Sequence, residues 1–352
     1  MLTRTISNTS TWAAALLLLA GGCEGAEPVD ADGDGEIRLR GDDYPLGKLN
    51  TNFLGVDETY PLDSIPLFYD ANANVRLHAV WATTCVDRTI GTTYTNELFY
   101  TSDLDGVLGI SVSDGDLESA TFKKYGEPSV TCTVSGGLWK NTVWGVITVD
   151  ENDVEHNNYL MILDRRLDTH GHWVYKWGVL TGLNPFSPDS YTPTCSEATD
   201  TFLDLAAYRY HAYLVDDLAV DHNTGDFSAA ADQMFIACIS GAVGKSAFWG
   251  YVPWEVGTDY HELATRMVRA DYCGDGNSYT EVGTPIQVRD KLGINSIQDN
   301  GFPYEAAWDL ASQSATCLTT PRNVEVDAAD VPCGLPQCTY GNTFGKTLIT
   351  RL

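Results

Sequence analysis

The chain has 352 residues, with 21 Lys and Arg against 48 Asp and Glu, for a formal charge of -27. Hydrophobic residues make up 43% and charged ones 20%, a globular balance that excludes a disordered polyelectrolyte. No cluster of Lys and Arg occurs, so neither a nucleic-acid face nor a basic patch for anionic lipid is expected.

Arg4 is the only charge before an apolar run, Trp12 to Ala20, which ends in Gly21 and Gly22. The run is too short to span a bilayer as an ordinary helix and reads as the core of a signal peptide over 1–22. Leu19-Ala20-Gly21-Gly22-Cys23 resembles the bacterial lipobox, with Leu19 one place further from the cysteine than usual. That resemblance implies a diacylglycerol on Cys23 and a lipid-anchored protein of the bacterial cell envelope, at the outer membrane. Several acyl chains on one residue hold a protein on a membrane durably, whereas one does so only marginally.

Residues 23–45 follow as an acidic, glycine-rich linker without apolar periodicity. Within it Asp30, Asp32 and Asp34 have the spacing of the first half of an EF-hand calcium loop. Gly41 occupies the twelfth position, where a bidentate acid belongs, so a solvated tether is the preferred reading. No cofactor is expected.

The nine cysteines are Cys23, Cys85, Cys132, Cys195, Cys238, Cys273, Cys317, Cys333 and Cys338. Setting Cys23 aside as the lipid carrier leaves an even number, as suits disulfides in an oxidising compartment. Sequence does not fix the connectivity; neighbour pairing gives Cys85–Cys132, Cys195–Cys238, Cys273–Cys317 and Cys333–Cys338. Zinc is disfavoured, because no C-x-x-C pair exists.

From 46 to 192 the pattern predicts β structure, a sandwich or an open barrel. Strands are expected over 74–81, 130–134, 143–149, 159–163 and 173–180, separated by turn-rich clusters such as Ser113-Asp114-Gly115-Asp116. A break follows at Asn184-Pro185-Phe186-Ser187-Pro188, and a domain boundary is expected near 190–200.

The part from 195 to 352 reads as a second, α+β domain stapled by disulfides. Asp232 to Cys238 predicts a strand and Ser240 to Trp249 a small-residue helix. Tyr260, Leu263, Ala264, Met267 and Val268 recur at helical spacing. Asp259 and Glu262 suggest an N-terminal capping box for that helix, and the glycines of Cys273-Gly274-Asp275-Gly276 suit the turn that ends it.

Ala270, Asp271, Tyr272, Cys273, Gly274, Asp275 and Gly276, as they stand here, resemble the signature of the ADYC-domain family. Phe235-Ile236-Ala237-Cys238, Trp249-Gly250-Tyr251-Val252-Pro253-Trp254, Gly283-Thr284-Pro285-Ile286 and Glu305-Ala306-Ala307-Trp308 resemble its flanking segments. The resemblance covers about 195–350. It implies an exported bacterial protein, often a lipoprotein, with a domain of unknown function.

Three constellations carry possible chemistry. Cys273 with His261 as base would make a thiol nucleophile, but a thiol at a helix C-terminus has its pKa raised, and a disulfide is favoured. His170-Gly171-His172 near Asp168 would present two imidazoles on one side of a strand, yet no third ligand is evident. Ser240-Gly241-Ala242-Val243-Gly244-Lys245-Ser246 ends like a phosphate loop, but Ile239 stands where its first glycine must be. Nine Trp and eighteen Tyr are expected mainly in the core and in cross-strand pairs rather than on a sugar-binding face. The expected function is therefore a non-catalytic envelope module that binds a glycan or protein or plays a structural role. The alternative is a secreted hydrolase using Cys273 and His261, or an acidic pair.

Overall fold

The computed structural model describes residues 64–67, 75–102, 109–149, 154–195, 207–221, 224–281, 284, 286–296 and 302–352. Cys23 and the calcium candidates Asp30, Asp32 and Asp34 lie outside the described residues. The first strands are β1 (Ser64–Pro66), β2 (Val75–Asp87), β3 (Thr92–Ser102), β4 (Val112–Ser113), β5 (Asp116–Leu117), β6 (Ala120–Lys124) and β7 (Glu127–Val134). Next come β8 (Val143–Val149), β9 (Glu155–Leu167), β10 (Trp173–Leu180), β11 (Tyr191–Pro193), β12 (Ala212–Val220) and β13 (Phe227–Cys238). Helices α1 (Ala242–Phe248), the single turn α2 (Pro253–Val256) and α3 (Thr258–Arg269) follow. The chain ends in β14 (Gln287–Asp290), β15 (Tyr304–Asp309), β16 (Ser314–Leu318), the turn α4 (Tyr340–Thr343) and β17 (Leu348–Arg351).

Eleven strands form one sheet, in the order β1-β13-β12-β10-β9-β8-β2-β3-β6-β7, with β11 added beside β10. Length explains how this sheet curls. β2 spans 13 residues, so along one edge it pairs with β8 through Val75–Trp81 and still reaches β7 at Val86–Thr133. That last pairing closes β2, β3, β6 and β7 into a small barrel. Cys85–Cys132 bridges the two residues next to the closing pair. The expected sandwich or open barrel is thus a closed barrel that unrolls into a long sheet.

Both faces of β12 and β13 are covered where they pair through 212–215 and 235–238, which is why those stretches run apolar without a polar alternate. Leu214, Met234, Ile236, Trp144, Leu160 and Trp177 point into one core with the barrel residues Phe99 and Phe122. Tyr213, Val215, Phe235 and Ala237 point the other way, against α1 and α3. On their far side the helices meet a second antiparallel sheet, of order β14-β17-β15-β16, through Ala306, Trp308 and Leu348. Helix α1 sits so close to β13 that a Cβ on Gly244 would lie 2.2 Å from the Cys238 carbonyl oxygen. The glycine of the phosphate-loop look-alike therefore serves close helix–strand packing.

The boundary expected near 190–200 does not break the sheet. β10 pairs with β12 across it at Tyr175–Ala212, and Cys195–Cys238 ties the intervening chain to the end of β13. All eight body cysteines are bridged, but two expected pairings are corrected: the bonds are Cys273–Cys333 and Cys317–Cys338. Cys317 lies within β16, and its side chain joins a buried cluster with Cys338 and Ala307 rather than the turn after α3.

Gly244→Ala forces a methyl into backbone carbonyls that cannot give way, and overpacking of this kind costs about 1–3 kcal/mol. The unfolding free energy of Gly244→Ala should fall by that amount, read as a lower urea midpoint at an unchanged m-value. Gly171→Ala, where a Cβ meets nothing within 4 Å, should lose only the smaller cost of its positive φ.

Candidate functional site

Helix α3 buries Tyr260, Leu263, Ala264, Met267 and Val268 on its apolar face. Its N-terminus differs from expectation: Gly257, with a φ of 86°, holds the cap position, and no side chain caps it. Asp259 falls inside the first turn instead, and Glu262 accepts a hydrogen bond from Arg266 at 2.9 Å.

The other end of α3 stops inside the protein, where its last carbonyls have no water to bond. Ala270 takes the left-handed conformation, φ 56° and ψ 37°, and turns the chain back. Asp271 N–H then donates to the Arg266 carbonyl at 2.9 Å and Ala270 N–H to that of Met267 at 3.1 Å, a Schellman closure made without glycine. Arg322 supplies two more donors, Nη2 to the Met267 carbonyl at 3.1 Å and Nη1 to that of Val268 at 2.6 Å. Thr280 Oγ1 donates to the Val268 carbonyl at 2.8 Å and Ser278 Oγ to that of Arg269 at 2.9 Å. Every carbonyl of the last turn is satisfied.

Each later residue of the signature has its own partners. Asp271 is fully buried; one oxygen accepts from Arg266 Nη1 at 2.8 Å and from Gly276 N–H at 3.1 Å, the other from Asp275 N–H at 3.1 Å. Burial raises its pKa, against the opposing pull of Arg266 and Arg269. Arg266 extends this grip to Glu262 and to Asp226 in the β12–β13 turn. Arg269 donates to the Gly276 carbonyl at 2.6 Å, and burial lowers its pKa to about 10.

Tyr272 donates its hydroxyl to Glu305 at 2.8 Å and accepts from Arg322 N–H at 2.9 Å. Its ring stacks on Trp308 at 5.6 Å and on Tyr279 at 5.7 Å. Glu305 and Arg322 form a fully enclosed ion pair, at 2.9 and 3.2 Å to the two carboxylate oxygens. Cys273 is bonded to Cys333, and the Tyr272 carbonyl accepts from Ala315 N–H at the start of β16. Gly274, at φ 68°, approaches the Gln313 carbonyl where a Cβ would come within 2.6 Å.

The flanking segments support the same construction. Tyr251 donates to Asp290 at 3.0 Å, joining the chain after α1 to β14. Trp254 lies against Gly115 in the β4–β5 turn, where a Cβ would come within 2.5 Å of its ring.

The proposed thiol pair is not assembled. Cys273 is in a disulfide, and fully buried His261 engages the Tyr251 carbonyl through Nδ1 at 2.6 Å, beside Ser246 and Thr265. Burial pulls the His261 pKa down to about 4. The histidine pair is brought together, with stacked rings 6.3 Å apart, at the tip of the β9–β10 hairpin. Asp168 beneath it is consumed by the turn: it accepts from His170 and His172 N–H at 2.8 Å each and from the Tyr213 hydroxyl at 2.5 Å. Burial would raise the Asp168 pKa, but those hydrogen bonds hold it below the usual carboxylate value. His172 Nε2 meets Glu255 at 2.9 Å. Among the described residues no group of three His, Cys, Asp or Glu is arranged to hold a metal ion.

Sequence reasoning named the signature but missed Glu305 and Arg322 as its partners. The available signal was a lone acid in the otherwise apolar run Ala306-Ala307-Trp308, and one of few cations in an acidic chain. A model of the ADYC domain matches residues 140–324, more than half of the chain, and the protein belongs to that family. The match begins well before 195, so the family unit includes β8 to β13 as well as the helices. No curated protein and no solved structure matches the chain.

Breaking a buried ion pair by removing one partner costs about 3–5 kcal/mol, so Glu305→Gln should lower thermal stability sharply. Cys273→Ala and Cys333→Ala should each cost about 2–5 kcal/mol, and the double variant little more than either, since one bond is lost in all three. Melting temperatures of the set check both statements.

A pH dependence follows from His261 and from His211, which burial likewise lowers to about 4. A histidine whose folded pKa lies below its unfolded value favours the folded state fully above the unfolded value, about 6.5. That contribution drains as pH falls towards 4, by up to about 1.4 kcal/mol per pH unit for each group. Urea midpoints from pH 7 to 4 should decline accordingly, and NMR should show both imidazoles neutral at pH 5.

Proposed function

We propose that the protein is an exported, lipid-anchored, non-catalytic module of the bacterial cell envelope, at the outer membrane. One observation supports the non-catalytic part most strongly: the polar or reactive groups of Asp271, Tyr272 and Cys273 are already engaged in holding the fold. The Asp271 carboxylate accepts three hydrogen bonds, the Tyr272 hydroxyl donates one and accepts one, and the Cys273 sulfur is bonded. A substrate would have to displace these contacts. Four disulfides in the body are consistent with an oxidising compartment.

A glycan or protein partner has a candidate location on the large sheet. The face that α1 and α3 cover over β12 and β13 continues over β8 to β11 as Val143, Met161 and Tyr191, with Trp81 and Tyr159 only partly buried. Gly145 lets the Trp81 ring lie against the sheet, since a Cβ there would come within 2.8 Å of it. Trp81 and Tyr159 sit 6.2 Å apart, a short aromatic platform of the kind that receives planar or sugar-ring ligands.

Cys23→Ser should move the protein from the membrane to the soluble fraction and abolish incorporation of labelled fatty acid. Retention on membranes with unchanged labelling would remove the anchor from the account. Trp81→Ala should reduce retardation in gels that contain an envelope polysaccharide that slows the wild type. If no polysaccharide does so, the glycan partner is withdrawn.

A further inference from the structure

The smaller sheet ends in three turns that lie side by side. β14 leads into 291–295, β15 turns into β16 over 310–313, and 344–347 leads into β17. Hydrogen bonds join them: Lys291 N–H to the Thr347 carbonyl at 3.1 Å, Thr347 N–H to the Trp308 carbonyl at 3.0 Å, and Leu310 N–H to Thr347 Oγ1 at 3.2 Å. These turns expose large apolar side chains: Leu292 at 54%, Ile294 at 37%, Leu310 at 37% and Phe344 at 74%. Tyr340, 74% exposed, packs its ring 6.1 Å from that of Phe344.

Local charge also bears on this end of the sheet. In a chain of charge -27, the three turns contain no Asp or Glu but do contain Lys291 and Lys346. Of the carboxylates that border them, Asp290 is engaged with Tyr251 and with Ile294 and Asn295 N–H, and Asp309 with Lys346 at 2.9 Å, while Asp259 beside Gln313 is exposed. An acidic surface repels anionic headgroups, and these three turns add no carboxylate to it.

We propose that this end of the smaller sheet is a second membrane contact, in which Leu292, Ile294, Leu310 and Phe344 enter the interface of a phospholipid bilayer beside Tyr340. The patch is built from the turns that join or lead into the strands of the smaller sheet. A bilayer needs no complementary shape, accepts tyrosine at the headgroup level and tolerates lysines that reach outward. The contact rests on the anchored reading only for what brings the body to a membrane.

The test is hydrogen–deuterium exchange on the full chain reconstituted in vesicles of phosphatidylethanolamine and phosphatidylglycerol, compared with the same chain in detergent. Early deuterium uptake over 291–295, 309–313 and 340–347 should fall about twofold or more in vesicles, while 181–190, with exposed Leu183, should not change. Leu292→Ser combined with Phe344→Ser should restore uptake in all three turns without lowering the melting temperature. Equal uptake with and without vesicles, or protection that survives the double substitution, overturns the proposal. Protection that appears in detergent as protein concentration rises also overturns it, by making a second copy the partner. Labelling of Cys23 with fatty acid is measured on the same sample, so failure of the anchor and failure of the patch are told apart.

Discussion

A helix that ends in a dry interior must find partners for its last carbonyls, and the end of α3 imposes this on the C-terminal half. Without water, the donors have to come from the chain itself. They are backbone N–H groups freed by the left-handed turn at Ala270, two hydroxyls from the segment just beyond, and the guanidinium of Arg322. A buried guanidinium in turn needs a counter-charge, which Glu305 provides from β15. Glu305 keeps a further oxygen contact with Tyr272, which returns the network to the residue that follows the turn. The circle joins α3, β15 and the 319–323 segment through one set of polar contacts.

Seen this way, the four letters of the signature have four distinct physical tasks. Ala270 has a methyl small enough for a fully buried left-handed position, where a larger side chain would meet the core around it. Asp271 fastens the next turn by accepting from Asp275 and Gly276. Tyr272 buries a large ring between Trp308 and Tyr279 while its hydroxyl completes the ion pair. Cys273 bonds the turn to Cys333 covalently. Buried His261, its pKa lowered by burial, adds to this dry packing between α1 and α3 through the Tyr251 carbonyl.

Strands were legible wherever local pattern alone decides structure. Val143–Val149 and Trp173–Leu180 have the bounds their apolar runs imply, α1 falls within the expected segment, and α3 begins at Thr258, ahead of the expected cap. What local pattern could not convey is which segments meet. Proline-rich 184–190 looked like a domain border, yet β11 directly beyond it returns to pair with β10, and the sheet continues into β12. Neighbour pairing succeeded for Cys85–Cys132 and Cys195–Cys238, because the large sheet brings the segments that carry them together. It failed for Cys273 because β16 carries Cys317 into a buried cluster with Cys338. The Asp259 cap failed for a related reason: α2 runs directly into α3, and only a glycine at 257 takes the positive φ that junction needs.

The central claim is that the signature closes a buried helix end and leaves Cys273 no free thiol. Digestion under non-reducing, thiol-blocked conditions followed by mass spectrometry tests this most directly. A peptide containing Cys273 linked to one containing Cys333, with Cys317 linked to Cys338, is the predicted result. A Cys273 peptide recovered carrying the blocking reagent, from protein treated while folded, would contradict the account and return the thiol to consideration as a nucleophile.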